Sequence, residues 1–157
     1  MSGRVGIEVT ASVIRGVVMS RWRQVPSRTF EVSWDPAQPV SALAALRSEV
    51  EAPDAVCVAI GLAFLHVTKV QLPPSDSAAR ESMVQVEPQR FFPVGDAVRA
   101  ALGADSDVAF AVDASWVASL EAALGTWGPI ARVEPTPLAL LAAWGGTGEA
   151  SVSGTVT

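Results

Sequence analysis

The segment GIEVTASVIR, residues 6–15, decides the fold that the sequence predicts. Apolar and polar residues alternate through residues 4–9, which is typical of a strand with one buried face. The short polar step at residues 10–12 predicts a hairpin turn, and the apolar run at residues 13–19 predicts a second strand. A third alternating run follows at residues 29–34. The first part of the chain is therefore predicted to form an antiparallel meander of three strands.

A helix and a fourth strand follow the meander. Leu43 and Leu46 lie on one helical stripe, and Ser41 is predicted to be the N-cap. The run AVCVAI at residues 55–60 is almost continuously apolar and contains β-branched residues, which is typical of a central strand buried on both faces. We therefore expect this strand to join the meander in parallel, and we expect its Cys57 to be a small buried thiol.

The remainder of the chain alternates between short strands and helices. Residues 96–102 are ambiguous, because their composition favours a short helix and their context favours a strand. The other predicted elements are a strand at 64–72, a helix from Ser75 or Asp76 to about Glu87, a strand at 108–112, a helix capped by Asp113 or Ser115, a strand at 129–133 and a helix through Trp144.

Composition narrows the class of protein. The 157 residues carry a formal net charge of −5, half of them are hydrophobic, and the mean hydropathy is +0.35. The longest apolar run, residues 56–65, has about half of the ~20 residues that a membrane-spanning helix needs. Residues 1–4 lead directly into a strand, so we expect no membrane segment and no signal peptide. The acidic balance argues against a nucleic-acid binder, and we expect a cytoplasmic protein.

Residues that commonly carry chemistry are scarce. Cys57 is the only cysteine and His66 is the only histidine, which excludes an internal disulfide and a zinc cluster of Cys and His ligands. Asp105 and Asp107 lie in a predicted turn that we interpret as solvated rather than as a magnesium site. The sequence contains no G-x-S-x-G, Walker or G-x-G-x-x-G motif. We therefore expect no metal site and no catalytic residue.

Several short motifs occur in an order that resembles one known family. Residues 6–15 are similar to the pattern G-[I/L]-D-I-G-x-x-x-[I/V]-[K/R], VAIG at residues 58–61 leads to VTKVQLPP at residues 67–74, and VEPTPLAL occupies residues 133–140. Over residues 4–144 this series resembles the type IV pilus assembly protein family PilM and the cytoplasmic domain of the type II secretion protein GspL. The resemblance implies an α/β protein with an actin-like (ribonuclease H-like) lobe, a mixed sheet and a small inserted α/β subdomain.

The resemblance also divides the chain into parts. Residues 1–62 are predicted to form the first part of the actin-like lobe, residues 63–112 the small α/β subdomain, and residues 113–144 the return to the lobe. Residues 145–157 are rich in Gly, Ser and Thr, and they are predicted to be a flexible or truncated tail.

The first hairpin is where this resemblance implies nucleotide chemistry. Actin-like ATPases have an acidic residue at the end of the first strand, which positions Mg²⁺ through water, and a glycine in the turn, which lets backbone N–H groups reach phosphate. Glu8 stands where the family has Asp, and Thr10 stands where it has Gly. Glu8, Thr10, Ser12 and Arg15 are thus degenerate phosphate-loop positions. We expect them to be inactive and expect no cofactor, and the alternative is ATP with Mg²⁺.

The function that the resemblance implies is a non-catalytic cytoplasmic scaffold, peripheral to the inner membrane. Such a scaffold would link the platform proteins of a type IV pilus or type II secretion-like assembly to the motor ATPase. Phe91, Phe92 and Trp127 are the predicted partner-binding residues, because a short apolar chain without catalytic groups tends to expose interaction patches.

Two other functions fit the same residues. One is a nucleotide-binding actin-like ATPase or sugar kinase-like protein, of which this chain is the first half. The other is a general adaptor module with no role in secretion.

Overall fold

A computed structural model describes residues 3–20, 25–103 and 105–141. Within these ranges the strands are β1 (Arg4–Val9), β2 (Val13–Met19), β3 (Pro26–Ser33), β4 (Ala55–Ile60), β5 (His66–Lys69), β6 (Val98–Leu102), β7 (Val108–Asp113) and β8 (Ile130–Pro135). The α-helices are α1 (Leu43–Glu49), α2 (Ser77–Val86) and α3 (Ala114–Gly125), and short 3-10 helices cover Pro39–Ala42, Leu62–Phe64 and Pro88–Arg90. Residues 136–141 are also helical.

The larger sheet has five strands in the order β3-β2-β1-β4-β8. β1 pairs antiparallel with β2, and β2 pairs antiparallel with β3, so the predicted meander is confirmed. β4 pairs in parallel with both β1 and β8, which confirms the predicted parallel strand. The result is a mixed α/β fold, as the sequence predicts.

One face of this sheet forms the main hydrophobic core. Alternate residues of the strands, such as Ile7 on β1 and Val58 on β4, are almost completely buried. They belong to one core cluster with Leu46 of α1 and Leu120 of α3, which are also almost fully buried. Both helices therefore pack against the same side of the sheet.

The other face of the five-stranded sheet is left uncovered by the described residues. Cys57, at the middle of β4, is exposed, and its neighbours Ala55 and Ala59 are only half-buried. The prediction that residues 55–60 are buried on both faces was wrong, and so was the prediction of a buried thiol. The physical reason is that α1 and α3 dock on one side, so every second residue of β4 lacks a covering layer.

The smaller sheet has three antiparallel strands in the order β5-β7-β6. Its core includes Val84 of α2 and Ala109 of β7, both fully buried. The ambiguous segment 96–102 forms strand β6, because its alternate residues Val98, Ala100 and Leu102 are buried in this core. The strand predicted at 64–72 is shorter, since a 3-10 helix precedes it.

The helix starts agree with the predictions in two cases of three. The Asp76 carboxylate accepts a hydrogen bond from the Ala79 N–H and caps α2, and the Asp113 carboxylate accepts one from the Trp116 N–H and caps α3. The predicted cap at Ser41 was wrong, because a 3-10 turn precedes α1 and Ala42 occupies its N-cap position. The predicted continuation of the last helix to residue 144 and the predicted tail 145–157 lie outside the described residues.

An ion pair joins the smaller sheet to α3 and makes stability depend on pH. Arg99 of β6 donates two hydrogen bonds of 2.8 Å to the Glu121 carboxylate. This contact lowers the pKa of Glu121 below its ordinary value of 4.5. A carboxyl whose pKa is lowered by folding stabilises the protein above its ordinary pKa, and this contribution is lost as the pH falls through the lowered value.

We therefore expect Glu121→Gln to flatten the loss of stability on acidification below about pH 4.5, measured by urea unfolding at several pH values. Both side chains are partly exposed, so the loss at neutral pH should be under about 1 kcal/mol. Glu51→Gln, which removes an exposed carboxylate, is the control and should leave the pH profile unchanged. An identical acid profile for Glu121→Gln and the unmodified chain would contradict this role of the ion pair.

Candidate functional site

The turn between β1 and β2 closes on itself through Thr10. The Thr10 N–H donates to the Val13 carbonyl at 3.0 Å, and the Thr10 hydroxyl donates to the same carbonyl at 2.8 Å. The Val13 N–H in turn donates to the Thr10 hydroxyl at 3.2 Å. Two backbone donors of the turn are therefore engaged inside it, at the place where the resemblance implies donors for phosphate.

Two charged residues near this turn, Glu8 and Arg15, lie on the uncovered face of the sheet. Glu8 and Arg15 are opposite one another in the register of β1 and β2. Arg15 is in turn opposite Glu31 of β3, and its Nε lies 3.0 Å from the Glu31 carboxylate. Ser12, in the turn, is exposed, and its carbonyl accepts the Trp34 N–H at 3.2 Å. The structure thus brings Glu8, Thr10, Ser12 and Arg15 into one hairpin, and their role toward nucleotide stays a prediction.

An aromatic cluster fixes the hairpin turn to the rest of the fold. The Trp34 indole N–H donates to the Thr10 carbonyl at 2.8 Å, and the Trp116 indole N–H donates to the Pro36 carbonyl at 2.9 Å. Phe64 stacks on Trp116 with ring centroids 4.3 Å apart and meets Trp34 edge-on at 6.2 Å. Sequence reasoning missed this cluster, because its three rings come from distant segments and share no periodicity.

An apolar groove lies beside α2, the helix that packs against the smaller sheet. It has a volume of about 490 Å³ and is lined in part by Leu72, Met83, Val86 and Phe91. Val86 is 75% exposed and Met83 is 37% exposed. The Arg90 guanidinium lies 5.9 Å from the centre of the Phe91 ring. The predicted partner-binding residue Phe91 therefore lines a surface groove.

The other two predicted partner-binding side chains are in the core. Phe92 and Trp127 are each only 3% exposed. The Trp127 indole N–H also donates to the Val50 carbonyl at 2.6 Å, which joins the turn after α3 to the residue that follows α1. We therefore correct the expectation for these two residues, since a side chain held in the core offers no surface to a partner.

Within residues 3–20, 25–103 and 105–141, no group of three or more His, Cys, Asp or Glu side chains is arranged to hold a metal ion. None of the helices in the described part of the chain has the length and apolar character needed to cross a membrane.

Comparisons with known proteins show that this chain is similar in fold to several solved structures. No protein-family model matches the sequence, and no curated protein matches it. The cytoplasmic domain of EpsL, an inner membrane component of the type II secretion system of Vibrio cholerae, matches with a TM-score of 0.61 and 19% identity, over 84% of this chain and 56% of that one. A PilM-PilN type IV pilus biogenesis complex matches with a TM-score of 0.62 and 17% identity, over 85% of this chain and 47% of that one.

A third match is a Bacteroides thetaiotaomicron protein with an actin-like ATPase fold and unknown function. Its TM-score is 0.50 at 12% identity, over 86% of this chain and 53% of that one. The chain thus spans about half the length of the solved structures it matches. It has an actin-like fold. Two of its structural neighbours come from a type II secretion system and a type IV pilus biogenesis complex.

Proposed function

We propose that this chain is a non-catalytic scaffold of a type IV pilus or type II secretion-like assembly. The observation that carries the proposal is the fold shared with the EpsL cytoplasmic domain and the PilM-PilN complex over more than four fifths of the chain. In this role the chain lies in the cytoplasm beside the inner membrane. It binds platform proteins of that membrane and links them to the motor ATPase.

The closed hairpin turn supports a role without catalysis. A phosphate site combines several free N–H donors with a metal ion and a cation. Here the Thr10 N–H and the Val13 N–H are engaged within the turn, and Arg15 is paired with Glu31. These three groups are therefore already engaged within the protein rather than free to bind phosphate.

The apolar groove supports a role in binding protein. Its volume of about 490 Å³ is enough for two or three apolar side chains of a partner. Met83 is an unbranched, flexible side chain that adapts to different partners. Glu87 and Arg90 add charge to the groove lining, and such polar groups fix the orientation of a bound segment. We propose this groove, with Phe91, as the contact to a platform protein.

The alternative function is an actin-like ATPase of which this chain is the first half. It is favoured by the carboxylate of Glu8 near the end of β1 and by the actin-like ATPase fold of the third structural match. Nucleotide binding distinguishes the two functions, and the titration that measures it is described in the Discussion.

The scaffold function is tested by identifying the proteins that bind this chain in the cells that make it. A tagged copy, cross-linked in the cells and purified, should carry with it the inner-membrane platform proteins and the motor ATPase of a pilus or secretion system. The double variant Met83→Gln, Val86→Gln should recover at least about tenfold less of the platform protein, because it replaces the apolar lining of the groove with amides.

Val40→Gln changes another exposed apolar residue, far from the groove in sequence, and is the matched control. It should leave recovery unchanged. Recovery of neither platform protein nor motor ATPase would contradict the scaffold. Recovery that is equal for the groove variant and the control would show that the partner binds elsewhere.

A further inference from the structure

Strand β5 is a free edge of the smaller sheet. It pairs with β7 on one side, and within the described ranges no strand pairs with it on the other. The Val70 N–H, directly after β5, donates to the Asp107 carbonyl at 2.7 Å. Because the backbone groups of an antiparallel strand point alternately to its two sides, the N–H and C=O groups of Val67 and Lys69 point away from β7. Such an edge is a template for one more strand.

The apolar groove continues from this edge. It is lined by residues 71–73, which follow β5 directly, and by Met83 and Val86 of α2. Val70 is buried in one core cluster with Val84 of α2, so the groove and the Val70 side chain lie on the same side of the edge. A strand added to β5 would therefore direct every second side chain toward the groove.

Lys69 defines a charge that the added strand must complement. It is the only lysine of the chain, it is exposed, and no carboxylate among the described residues lies within 4.0 Å of its ammonium group. Successive side chains of a strand alternate between faces, so Lys69 faces away from α2. A residue opposite Lys69 shares that face, and its two neighbours point toward the groove. The complementary pattern is therefore apolar–acidic–apolar.

The residues outside the described ranges lack this pattern. Their only acidic residue is Glu149, and its neighbours Gly148 and Ala150 are too small to fill a groove of about 490 Å³. Leu141, the last described residue, lies beside β6, at the other edge of the smaller sheet. A second copy also fits poorly, because pairing two β5 edges would bring both Lys69 side chains to one face. An extended segment of another protein is the occupant that fits.

We propose that the platform protein binds as an extended strand, which pairs with the free edge of β5 and directs apolar side chains into the groove. An acidic residue of this strand lies opposite Lys69, and large apolar residues lie on either side of it. Pro73 has no N–H, so the pairing ends before it. The inference rests on the proposed function, because it names the form in which the platform protein enters the groove.

Amide hydrogen exchange, measured by NMR, reports on this edge residue by residue. Random linear peptides of about 12 residues, longer than a typical strand, are displayed on phage and selected against the 157-residue chain. We expect enriched peptides with the apolar–acidic–apolar pattern, and at saturation they should slow exchange of the Val67 and Lys69 amides at least about tenfold. The Thr68 N–H, which points to β7, is the internal control and should change much less.

Two substitutions of Lys69 test the pairing and the charge separately. Lys69→Pro removes an N–H that takes no part in the pairing with β7, and it should weaken the enriched peptides at least about tenfold. Selection on Lys69→Glu should replace the acidic residue of the enriched peptides with a basic one. Arg4→Glu, which reverses an exposed charge on the larger sheet, is the matched control and should change neither the affinity nor the selected pattern.

Peptides that lose binding to the Met83→Gln, Val86→Gln variant but leave the Val67 and Lys69 amides exchanging freely would overturn the strand pairing. The groove contact and the scaffold would then still stand, since those fail only if the cross-linked chain recovers no platform protein. Enrichment of no peptide would also overturn the pairing. So would amides already protected in the dilute chain alone, or protected as protein concentration rises, because the chain itself or a second copy would then cover the edge.

Discussion

Replacing Trp127 with alanine is expected to lower the free energy of unfolding by about 3–5 kcal/mol, because it removes a large buried side chain from the core. The indole is 3% exposed and donates a hydrogen bond to the Val50 carbonyl, so the substitution leaves both a cavity and an unpaired carbonyl. The change in the free energy of unfolding is measured by urea denaturation, with circular dichroism as the probe. A loss of this size would be a large share of the stability of a domain of this length.

The conservative variant separates the two contributions. Trp127→Phe keeps most of the buried volume and removes the indole donor, so it should cost about 1–2 kcal/mol, less than the alanine variant. Leu141→Ala, at a 65% exposed position, should change stability by no more than about 0.5 kcal/mol. If Trp127→Ala were as stable as the unmodified chain but no longer bound its partner, Trp127 would be a binding residue. That result would contradict its assignment to the core.

The 157-residue chain is expected to bind ATP and Mg²⁺ with a dissociation constant no better than roughly 1 mM. The Thr10 hydroxyl and N–H are both bonded to Val13 within the turn. Lys69 is the only lysine, and it lies on β5 in the smaller sheet, away from the hairpin. A micromolar nucleotide site would need about 4 kcal/mol more binding free energy than a millimolar one, and these groups give no source for it.

Isothermal titration calorimetry with ATP and Mg²⁺ measures this prediction. Thr10→Gly removes the hydroxyl that closes the turn, and it should improve binding by no more than about tenfold because the other elements of a phosphate site are unchanged. Glu8→Ala should have no measurable effect on the unmodified chain. Micromolar binding that Glu8→Ala weakens would reject the scaffold and favour the actin-like ATPase.

Short-range patterns predicted most of the larger sheet. Alternation of apolar and polar residues identified β1 and β3, and the apolar run at residues 55–60 identified the parallel strand β4. The same reasoning placed each of two helix caps within a pair of candidates, and the structure selects Asp76 over Ser75 and Asp113 over Ser115. A cap can be located this closely because it depends on contacts within three residues. Ser41 failed as a cap because Pro39 begins a 3-10 turn that shifts the start of α1.

The candidate sites were less predictable, because they depend on packing between distant segments. Composition alone could not separate Phe91, which lines the groove, from its buried neighbour Phe92. The rings of Trp34, Phe64 and Trp116 meet in the folded chain although their residues lie far apart in the sequence, with the whole smaller sheet between Phe64 and Trp116. No periodicity or local motif in the sequence indicates such a contact between distant residues.

The sequence by itself determined the three-stranded meander, the parallel position of β4 and the resemblance to an actin-like lobe. Only the tertiary structure decided which face of the sheet is covered. Alternation divides the residues of a strand between two sides, but the side that a helix covers depends on the path of the connecting segments. Because α1 and α3 both follow paths to the same side, Ile7 is buried and Cys57, on the adjacent strand and the opposite face, is exposed.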